Sequence, residues 1–422
     1  MTLDEDFLQR RRYNAVSDMV DANVARGLAG KAAFTDPDRS ITYGELQSRS
    51  CRLARALRTL GMRPEERIAL LLPDTVDYPV AFWGAIRAGI VAVPLNTWLT
   101  AEQYAYILGD SRASLIIAAA PFARALLPIL DRAPNLRAII LVGAGLGDTS
   151  LFTGREVYDF EHILARESAD PFVASTNSDE VAFWLYTSGS TGDPKGVKHV
   201  HTSLMATAKL MGQGIIGIRE DDVVLSAAKL FFAYGLGNAM SFPMSVGAST
   251  VLWPQRMTAE VVFKIMHEHR PTLFYAVPSL YTALLAHQDI RVGAGSDRSS
   301  QSRVPARNSG RAKTLYFEAN AHALVAKIGP IRPHRSLVPY LHRLTFVRPP
   351  YYSLPGAQSA TEHVPSGGGP CGSARLRPRS HTNSQKWRAR PEDGESLPGY
   401  REGKRRRLLP VRRGQPTYCA NS

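Results

Sequence analysis

One segment of this sequence is rich in the residue types that bind phosphate. It runs Tyr186-Thr187-Ser188-Gly189-Ser190-Thr191-Gly192-Asp193-Pro194-Lys195-Gly196, directly after a predicted strand. Glycines let a backbone approach an anion closely, and Ser and Thr hydroxyls with backbone amides donate hydrogen bonds to phosphate oxygens. Lys195 adds a positive charge on a flexible side chain. A surface turn uses the same residue types, but the length of the segment and its place after a strand favour a phosphate site.

The segment is not the P-loop of kinases and GTPases. That motif needs a Ser or Thr directly after its lysine, because the hydroxyl holds Mg²⁺, and it opens a helix. Here Gly196 follows Lys195. The sequence therefore excludes the P-loop of a kinase or GTPase.

The segment resembles the signature loop of the acyl-adenylate-forming (AMP-binding) superfamily. Three further segments match early motifs of that superfamily, at Thr42–Leu46, Pro73–Thr75 and Gly89–Asn96. The resemblance implies that the loop holds the β- and γ-phosphates of ATP while a carboxylate attacks the α-phosphate. It assigns phosphate binding to Thr187, Ser188, Gly189, Ser190, Thr191, Gly192, Lys195 and Gly196, with Lys195 as the catalytic residue. It also implies ATP, Mg²⁺ and, as co-substrate, CoA.

A second block, Ala228–Asn238, indicates which class of carboxylic acid is the substrate. It is similar to the acyl-pocket motif of benzoate–CoA ligases, which implies that Ala233, Tyr234 and Gly235 bind the substrate. A flat aromatic acid suits a slot of aromatic and small residues, because rings pack edge-to-face or offset. Core packing is the alternative, and for the neighbouring pair Phe231 and Phe232 it is equally well supported.

Two other segments are candidates on weaker grounds. Val277 and Pro278 lie in a segment that resembles another wall of the acyl site, and core packing explains them as well. His199 and His201 lie two residues apart after the loop. Their spacing allows metal ligation, but capping or packing of the following helix is favoured. The metal ligands are therefore unknown at this stage.

The remaining composition indicates a cytoplasmic protein without a membrane segment. No apolar run approaches the ~20 residues that a membrane span needs, and the acidic start at Met1–Asp6 does not resemble a secretory signal. Three widely separated cysteines, Cys51, Cys371 and Cys419, indicate neither a disulfide framework nor a zinc site. The sequence leaves open whether the protein is a homodimer.

Up to about residue 290, short apolar runs alternate with helical patterns. Runs that predict buried strands lie at Ile68–Leu72, Ile90–Pro94, Ser114–Ala119, Ala138–Val142, Val181–Tyr186, Val223–Ala227, Thr250–Trp253 and Leu273–Val277. This rhythm predicts an α/β fold of doubly wound, mostly parallel sheets with covering helices. Thr42 and Glu45 form a capping-box pair at one helix start, and Gly61 can end that helix. The more polar stretch Gly145–Ser178 is expected to connect two sheets.

After about residue 290 the composition changes. Residues 291–422 contain 24 lysines and arginines but only 7 acidic residues, whereas residues 1–290 contain 27 and 30. The later segment also contains 14 of the 28 prolines. Such a composition buries little apolar surface. We therefore predict an incomplete N-terminal adenylation domain at 1–290 and a largely irregular basic tail at 291–422, with weak order at Ala321–Ile328 and Ser336–Val347.

The tail does not match the motifs with which the superfamily continues. The resemblance implies a Gly-Ser-Thr-Glu-type motif, a Thr-Gly-Asp motif, a hinge arginine and a C-terminal lysine, and Ser359–Glu362 imitates the first only by chance. A change of reading frame near Ile290 is one explanation. The sequence thus predicts a truncated benzoate–CoA ligase of aromatic compound catabolism that is defective in this chain. A non-catalytic remnant is an alternative, as is a protein whose basic tail binds nucleic acid or an acidic partner. Against nucleic acid, the tail has no aromatic residues interleaved with basic ones.

Overall fold

The computed structural model describes residues 11–143, 151–187 and 193–287, together with the backbone of three later strands. All of them lie in one compact unit that spans Met1–Ser353. Within this described part of the chain, no helix is both long and apolar enough to cross a lipid bilayer.

The described strands form two sheets. In chain order they are β1 (Ala32–Thr35), β2 (Ser40–Thr42), β3 (Arg67–Leu71), β4 (Val91–Pro94), β5 (Leu115–Ala119), β6 (Ala138–Val142), β7 (Glu156–Asp159), β8 (Val181–Thr187), β9 (Lys195–Val200), β10 (Val223–Ser226), β11 (Ser249–Val251), β12 (Leu273–Ala276), β13 (Leu315–Phe317), β14 (Leu324–Lys327) and β15 (Phe346–Val347). Sheet A has the order β7-β6-β5-β3-β4-β8-β9, and sheet B the order β15-β13-β14-β12-β10-β11-β1-β2.

Helices cover these sheets. The described α-helices are α1 (Tyr43–Thr59), α2 (Asp77–Arg87), α3 (Ala101–Ser111), α4 (Ala120–Ala123), α5 (Phe160–Ala165), α6 (His201–Thr207), α7 (Ala233–Leu236), α8 (Phe242–Met244), α9 (Ala259–His269) and α10 (Pro278–Ala286). Segments of π-helix lie at Ser17–Asp21, Val24–Leu28, Ala208–Ile216 and Gly237–Ser241, and a 3₁₀ segment lies at Arg124–Arg132.

Sheet A is parallel except at β9, and both of its faces are buried. Ile68 and Leu70 of β3 face one apolar cluster, while Ala69 and Leu71 face another. Parallel strands buried on both faces need continuous apolar sequence, which is what the predicted runs contain. The prediction of an α/β fold with mostly parallel, helix-covered sheets is therefore confirmed.

Sheet B shares one core with sheet A and has a second core on its other face. Val224 and Tyr275 lie in the cluster that also holds Ile68 and Leu70. On the opposite face, Leu225 and Phe274 pack with residues of α9 and α10. β1, β10, β11 and β12 are parallel, whereas β2 and β14 pair antiparallel with their neighbours. Two strands beyond residue 290 fall within the segments predicted to be weakly ordered, and Leu315–Phe317 falls outside them.

The predicted helix ends agree with the structure. Thr42 caps α1 by accepting the N–H of Glu45, while the Glu45 carboxylate accepts the N–H of Thr42. Gly61, which follows α1, has φ +77°, a left-handed conformation that glycine adopts without strain. Thr258 caps α9 by accepting the N–H of Val261.

The prediction for the Gly145–Ser178 stretch is wrong. This stretch contains β7 and α5, and β7 pairs with β6 at the edge of sheet A. Its strand is polar because an edge strand is partly exposed, so it does not give the apolar run of a central strand. The stretch therefore extends sheet A and does not connect two sheets.

Candidate functional site

The predicted phosphate loop joins two antiparallel strands. Thr187 at the end of β8 pairs with Lys195 at the start of β9, and Tyr186 pairs with Gly196. Thr187 and Lys195 are exposed. Ser188, Gly189, Ser190, Thr191 and Gly192 lie outside the described residues. The structure thus brings three of the eight predicted phosphate-binding residues together at the base of a hairpin, and the roles of all eight stay predictions.

Two aromatic rings explain why position 196 is a glycine. A Cβ atom there would lie 3.1 Å from Cζ of Tyr186 and 3.2 Å from Cε3 of Trp184. These contacts are tighter than ordinary van der Waals packing, so a side chain at 196 would push the rings away. The next cation on this strand, Lys198, lies over the Trp184 ring at 5.1 Å.

A hydrogen bond that sequence reasoning missed ties this hairpin to α3. The Tyr186 hydroxyl donates to Oδ2 of Asp110 at 2.6 Å. Burial and this carboxylate raise the pKa of Tyr186, so its hydroxyl keeps the proton that it donates. The two residues are 76 positions apart, and no local sequence pattern signals their contact.

The predicted aryl block folds as a sharp turn into a short helix. Ala233, Tyr234 and Gly235 form the first turn of α7, after the exposed Phe232. A Cβ atom at Gly235 would lie 2.0 Å from the carbonyl oxygen of Lys229, so this position requires glycine. The helix therefore sits directly against the backbone of the loop before it.

Tyr234 meets an aromatic partner on sheet B. Its ring is half-buried and lies edge-to-face with Tyr275 of β12, with ring centroids 6.4 Å apart and planes at 83°. Tyr275 lies with Val277 and Pro278 in the segment Pro271–Leu280, which resembles another wall of the acyl site. Val277 and Pro278 are exposed. Strand alternation could have pointed to Tyr275, because it lies two residues before Val277 on the same face.

Of the neighbouring pair, Phe231 is buried, whereas Phe232 is 42% exposed. Phe231 contacts Phe232 and also Trp98, which follows β4 and is exposed. The core-packing interpretation therefore fits Phe231 better than Phe232.

A buried ion pair includes a residue of the aryl block. Lys229 is the second residue of the block, and its Nζ lies 3.9 Å from Oδ2 of Asp74, which follows β3. Both side chains are nearly inaccessible to solvent, at 6% and 4% exposure. The sequence places Asp74 and Lys229 in two separate motifs and does not signal that they meet.

The two histidines after the loop are packing residues. The His199 ring stacks on Phe183 with centroids 4.6 Å apart and planes at 4°. His201 is buried, and its Nδ1 accepts the backbone N–H of Ala15 at 3.3 Å. Burial lowers the pKa of His201 to about 4, so the ring is neutral at pH 7. Among the described residues, no group of three or more His, Cys, Asp or Glu side chains could hold a metal ion.

Comparison with known proteins shows which family this chain resembles. A family model described as AMP-binding enzyme matches residues 21–378, which runs past the boundary predicted at Ile290; that boundary stays a prediction. The 4-hydroxybenzoate–CoA/benzoate–CoA ligase of Rhodopseudomonas palustris is 51% identical over 292 residues, which are 68% of this chain and 52% of the relative. The benzoate–CoA ligase of Thauera aromatica is 43% identical over 279 residues, or 66% of this chain and 51% of the relative.

Solved structures give the same picture. An anthranilate CoA ligase in complex with anthranoyl-AMP matches with a TM-score of 0.62 and 33% identity, over 66% of this chain and 52% of the other. A benzoate CoA ligase from Burkholderia xenovorans LB400 matches with a TM-score of 0.58 and 43% identity, over 65% and 52%. The chain thus spans about half the length of these relatives.

Proposed function

Because this chain belongs to the AMP-binding enzyme family, we propose that it binds ATP and a small aromatic carboxylic acid at one site. The acid is benzoate or a close analogue such as a hydroxybenzoate. The edge-to-face contact of Tyr234 with Tyr275 carries the proposal. The partly exposed ring of Tyr234, held against Tyr275, favours a planar aryl group, since a third ring can join the same packing arrangement.

The reaction that this site supports is adenylation. A carboxylate oxygen of the acid forms a bond to the α-phosphorus of ATP while the bond to the bridging oxygen breaks, which yields an aryl-adenylate and pyrophosphate. Lys195 and the donors of the phosphate loop would stabilise the negative charge on the β- and γ-phosphates. In the complete reaction of an aryl–CoA ligase, the sulfur of CoA then displaces AMP and forms the thioester.

ATP reaches such enzymes as its Mg²⁺ complex. The described residues contain no group of three or more His, Cys, Asp or Glu side chains that could hold a metal ion, and Mg²⁺ would bind together with the ATP phosphates. The groups of this chain that are proposed to act on the substrates are Lys195, the loop and the aryl slot.

Binding measurements on the full 422-residue chain test the proposal. Calorimetry compares benzoate with cyclohexanecarboxylate, which has the same charge and a similar size but a puckered ring. We expect benzoate to bind more tightly, because only an aromatic ring can add an offset or edge-to-face contact with Tyr234. A folded chain that binds neither ATP nor benzoate, or that does not discriminate between the two acids, would show that the proposal is wrong.

A further inference from the structure

A lysine side chain holds the loop that leads into α7. We call residues 227–232, between β10 and α7, the Lys229 loop. The Nζ of Lys229 donates to the backbone oxygens of Trp253 and Gln255, the second at 2.7 Å, and also faces Asp74. Trp253 and Gln255 follow β11, so this ammonium ties the Lys229 loop to the segment that leaves this strand of sheet B.

Asp74 holds the same loop from sheet A. While its Oδ2 faces Lys229, its Oδ1 accepts the backbone N–H of Leu230 at 3.1 Å. One carboxylate therefore contacts both the side chain and the backbone of the loop. Because Asp74 follows β3 and the loop follows β10, the pair joins the two sheets next to the aryl block.

The position of Lys229 is transmitted to Tyr234 through the backbone. The carbonyl oxygen of Lys229 accepts the N–H of Phe232 at 3.0 Å. Gly235 packs so closely on this oxygen that no Cβ fits between them. A shift of Lys229 must therefore move the first turn of α7, and Tyr234 lies in that turn.

Stability alone does not account for a charged pair at this place. Burial raises the pKa of Asp74 to about 6, against the attraction of Lys229, and burial lowers the pKa of Lys229. Both shifts reflect the cost of removing charges from water, and apolar side chains of similar volume often serve stability as well or better. The pair fixes the position of the loop, because three hydrogen bonds and one ion pair hold it from two sides.

We propose that Asp74 and Lys229 are positioning residues for the aromatic acid, holding the Lys229 loop so that α7 presents Tyr234 to the aryl ring. The inference rests on the proposed function and adds to it the residues that set the geometry of the slot. Neither side chain touches the acid in this scheme.

Three substitutions in the full chain test the inference. Lys229→Met keeps the length of the side chain and removes its donors. Asp74→Ala removes the acceptor for Leu230, whereas Asp74→Asn keeps an oxygen at that place. Lys264→Met is the matched control. Lys264 is exposed, and its Nζ lies over the Trp253 ring, 5.6 Å from the ring centroid.

Calorimetry should show a loss confined to the acid. We expect Lys229→Met and Asp74→Ala to weaken benzoate binding by about tenfold, which is about 1.4 kcal/mol, with ATP affinity changed less than twofold. Asp74→Asn should recover most of the benzoate affinity, and Lys264→Met should match the wild type. Equal losses for benzoate and ATP, or no loss for either ligand, would overturn the inference.

Hydrogen exchange separates this inference from the proposed function. If the wild-type chain binds no benzoate, the proposed function fails, but the positioning of the loop can still be measured by mass spectrometry on peptides that cover residues 226–236. The positioning role is supported if these peptides exchange faster in Lys229→Met than in the wild type and at the wild-type rate in Lys264→Met. Unchanged exchange in Lys229→Met overturns it.

Discussion

Tyr234 is the side chain on which the aryl slot depends most directly. Replacing it with Ala removes the ring that packs against Tyr275. We expect benzoate binding to weaken by about 0.5–1.5 kcal/mol, the usual contribution of an aromatic pair beyond its buried area. Calorimetry on the folded variant measures this, with Tyr158→Ala on the edge strand β7 as the control. Unchanged benzoate affinity in Tyr234→Ala would move the slot elsewhere.

Lys195 carries the charge at the base of the predicted phosphate loop. Lys195→Ala removes an exposed ammonium that can form a charge-assisted hydrogen bond to a phosphate oxygen. We expect ATP affinity to fall by about 1.5–3 kcal/mol, and the loss to shrink as salt is added.

The matched control for this prediction lies on the same strand. Lys198→Ala removes a lysine whose ammonium lies over the Trp184 ring, so ATP affinity should stay close to the wild-type value. The same affinity in Lys195→Ala as in the wild type, measured by calorimetry at low salt, would contradict the loop assignment.

Residue types and the resemblance to the adenylate-forming superfamily predict the candidate site, but contacts between distant residues could not be predicted. The glycines, Lys195 and Tyr234 belong to local patterns, and local patterns are visible in a sequence. Asp74 is hydrogen-bonded to Leu230, 156 residues later, and only the folded sheets bring the two together. The partner of Tyr234 was missed for the same reason, since β12 follows α7 by more than thirty residues of sequence.

At the scale of elements, buried helical and strand patterns were predictable and edge strands were not. β5 and β6 consist almost entirely of apolar residues and are buried on both faces. β9 has the sequence Lys-Gly-Val-Lys-His-Val and is mostly exposed or partly exposed. Its strand conformation depends on pairing with β8, an interaction between elements that the composition of β9 does not reveal.

The start of α6 gives a prediction about pH. His201 is the first residue of this helix and accepts the N–H of Ala15, so it ties α6 to the N-terminal segment. Burial lowers the pKa of His201 from 6.5 to about 4 in the folded chain. The unfolded chain therefore binds more protons between these values, and the free energy of unfolding should fall as the pH falls from 6.5 towards 4.

The size of this effect can be measured by urea unfolding at pH 7 and pH 5. The His201 contribution to the loss of stability at pH 5 should be about 2 kcal/mol. His201→Asn keeps an oxygen near the position of Nδ1 that can accept the Ala15 N–H but does not titrate in this range. It should therefore lose about that much less stability than the wild type between the two pH values. Equal losses in both proteins would show that His201 does not drive the pH dependence.

At the scale of the whole molecule, net charge and composition divide the chain near residue 290. Residues 291–422 are strongly basic, whereas residues 1–290 are slightly acidic. A tail that bound nucleic acid would do so through phosphate contacts and would lose affinity steeply as salt rises. The adenylation proposal assigns function only to groups within the first 290 residues and none to the tail. If it is right, a salt titration with random DNA should show no tight binding of the chain to DNA at physiological ionic strength.

The last prediction is that this 422-residue chain does not form detectable aryl-CoA. Attack of a carboxylate on ATP brings negative charges together, and the resemblance to the adenylate-forming superfamily implies that Mg²⁺ and a lysine from a mobile C-terminal domain offset them. The sequence of residues 291–422 contains lysines and arginines but does not match the motifs that would hold such a lysine in place. A catalytic group that is misplaced by about 1 Å can cost about 100-fold in rate.

The measurement is a CoA-thioester absorbance assay with benzoate, ATP, Mg²⁺ and CoA. The benzoate–CoA ligase of Thauera aromatica under the same conditions serves as the positive control, and a sample without enzyme sets the background. We expect no signal above that background from this chain, even where calorimetry detects ATP and benzoate binding. Binding needs only the loop and the slot. Turnover needs, in addition, every charged group within about half an ångström of its productive position. Clear thioester formation would mean that residues 291–422 supply the C-terminal lysine that the resemblance implies, by an arrangement unlike the superfamily motifs.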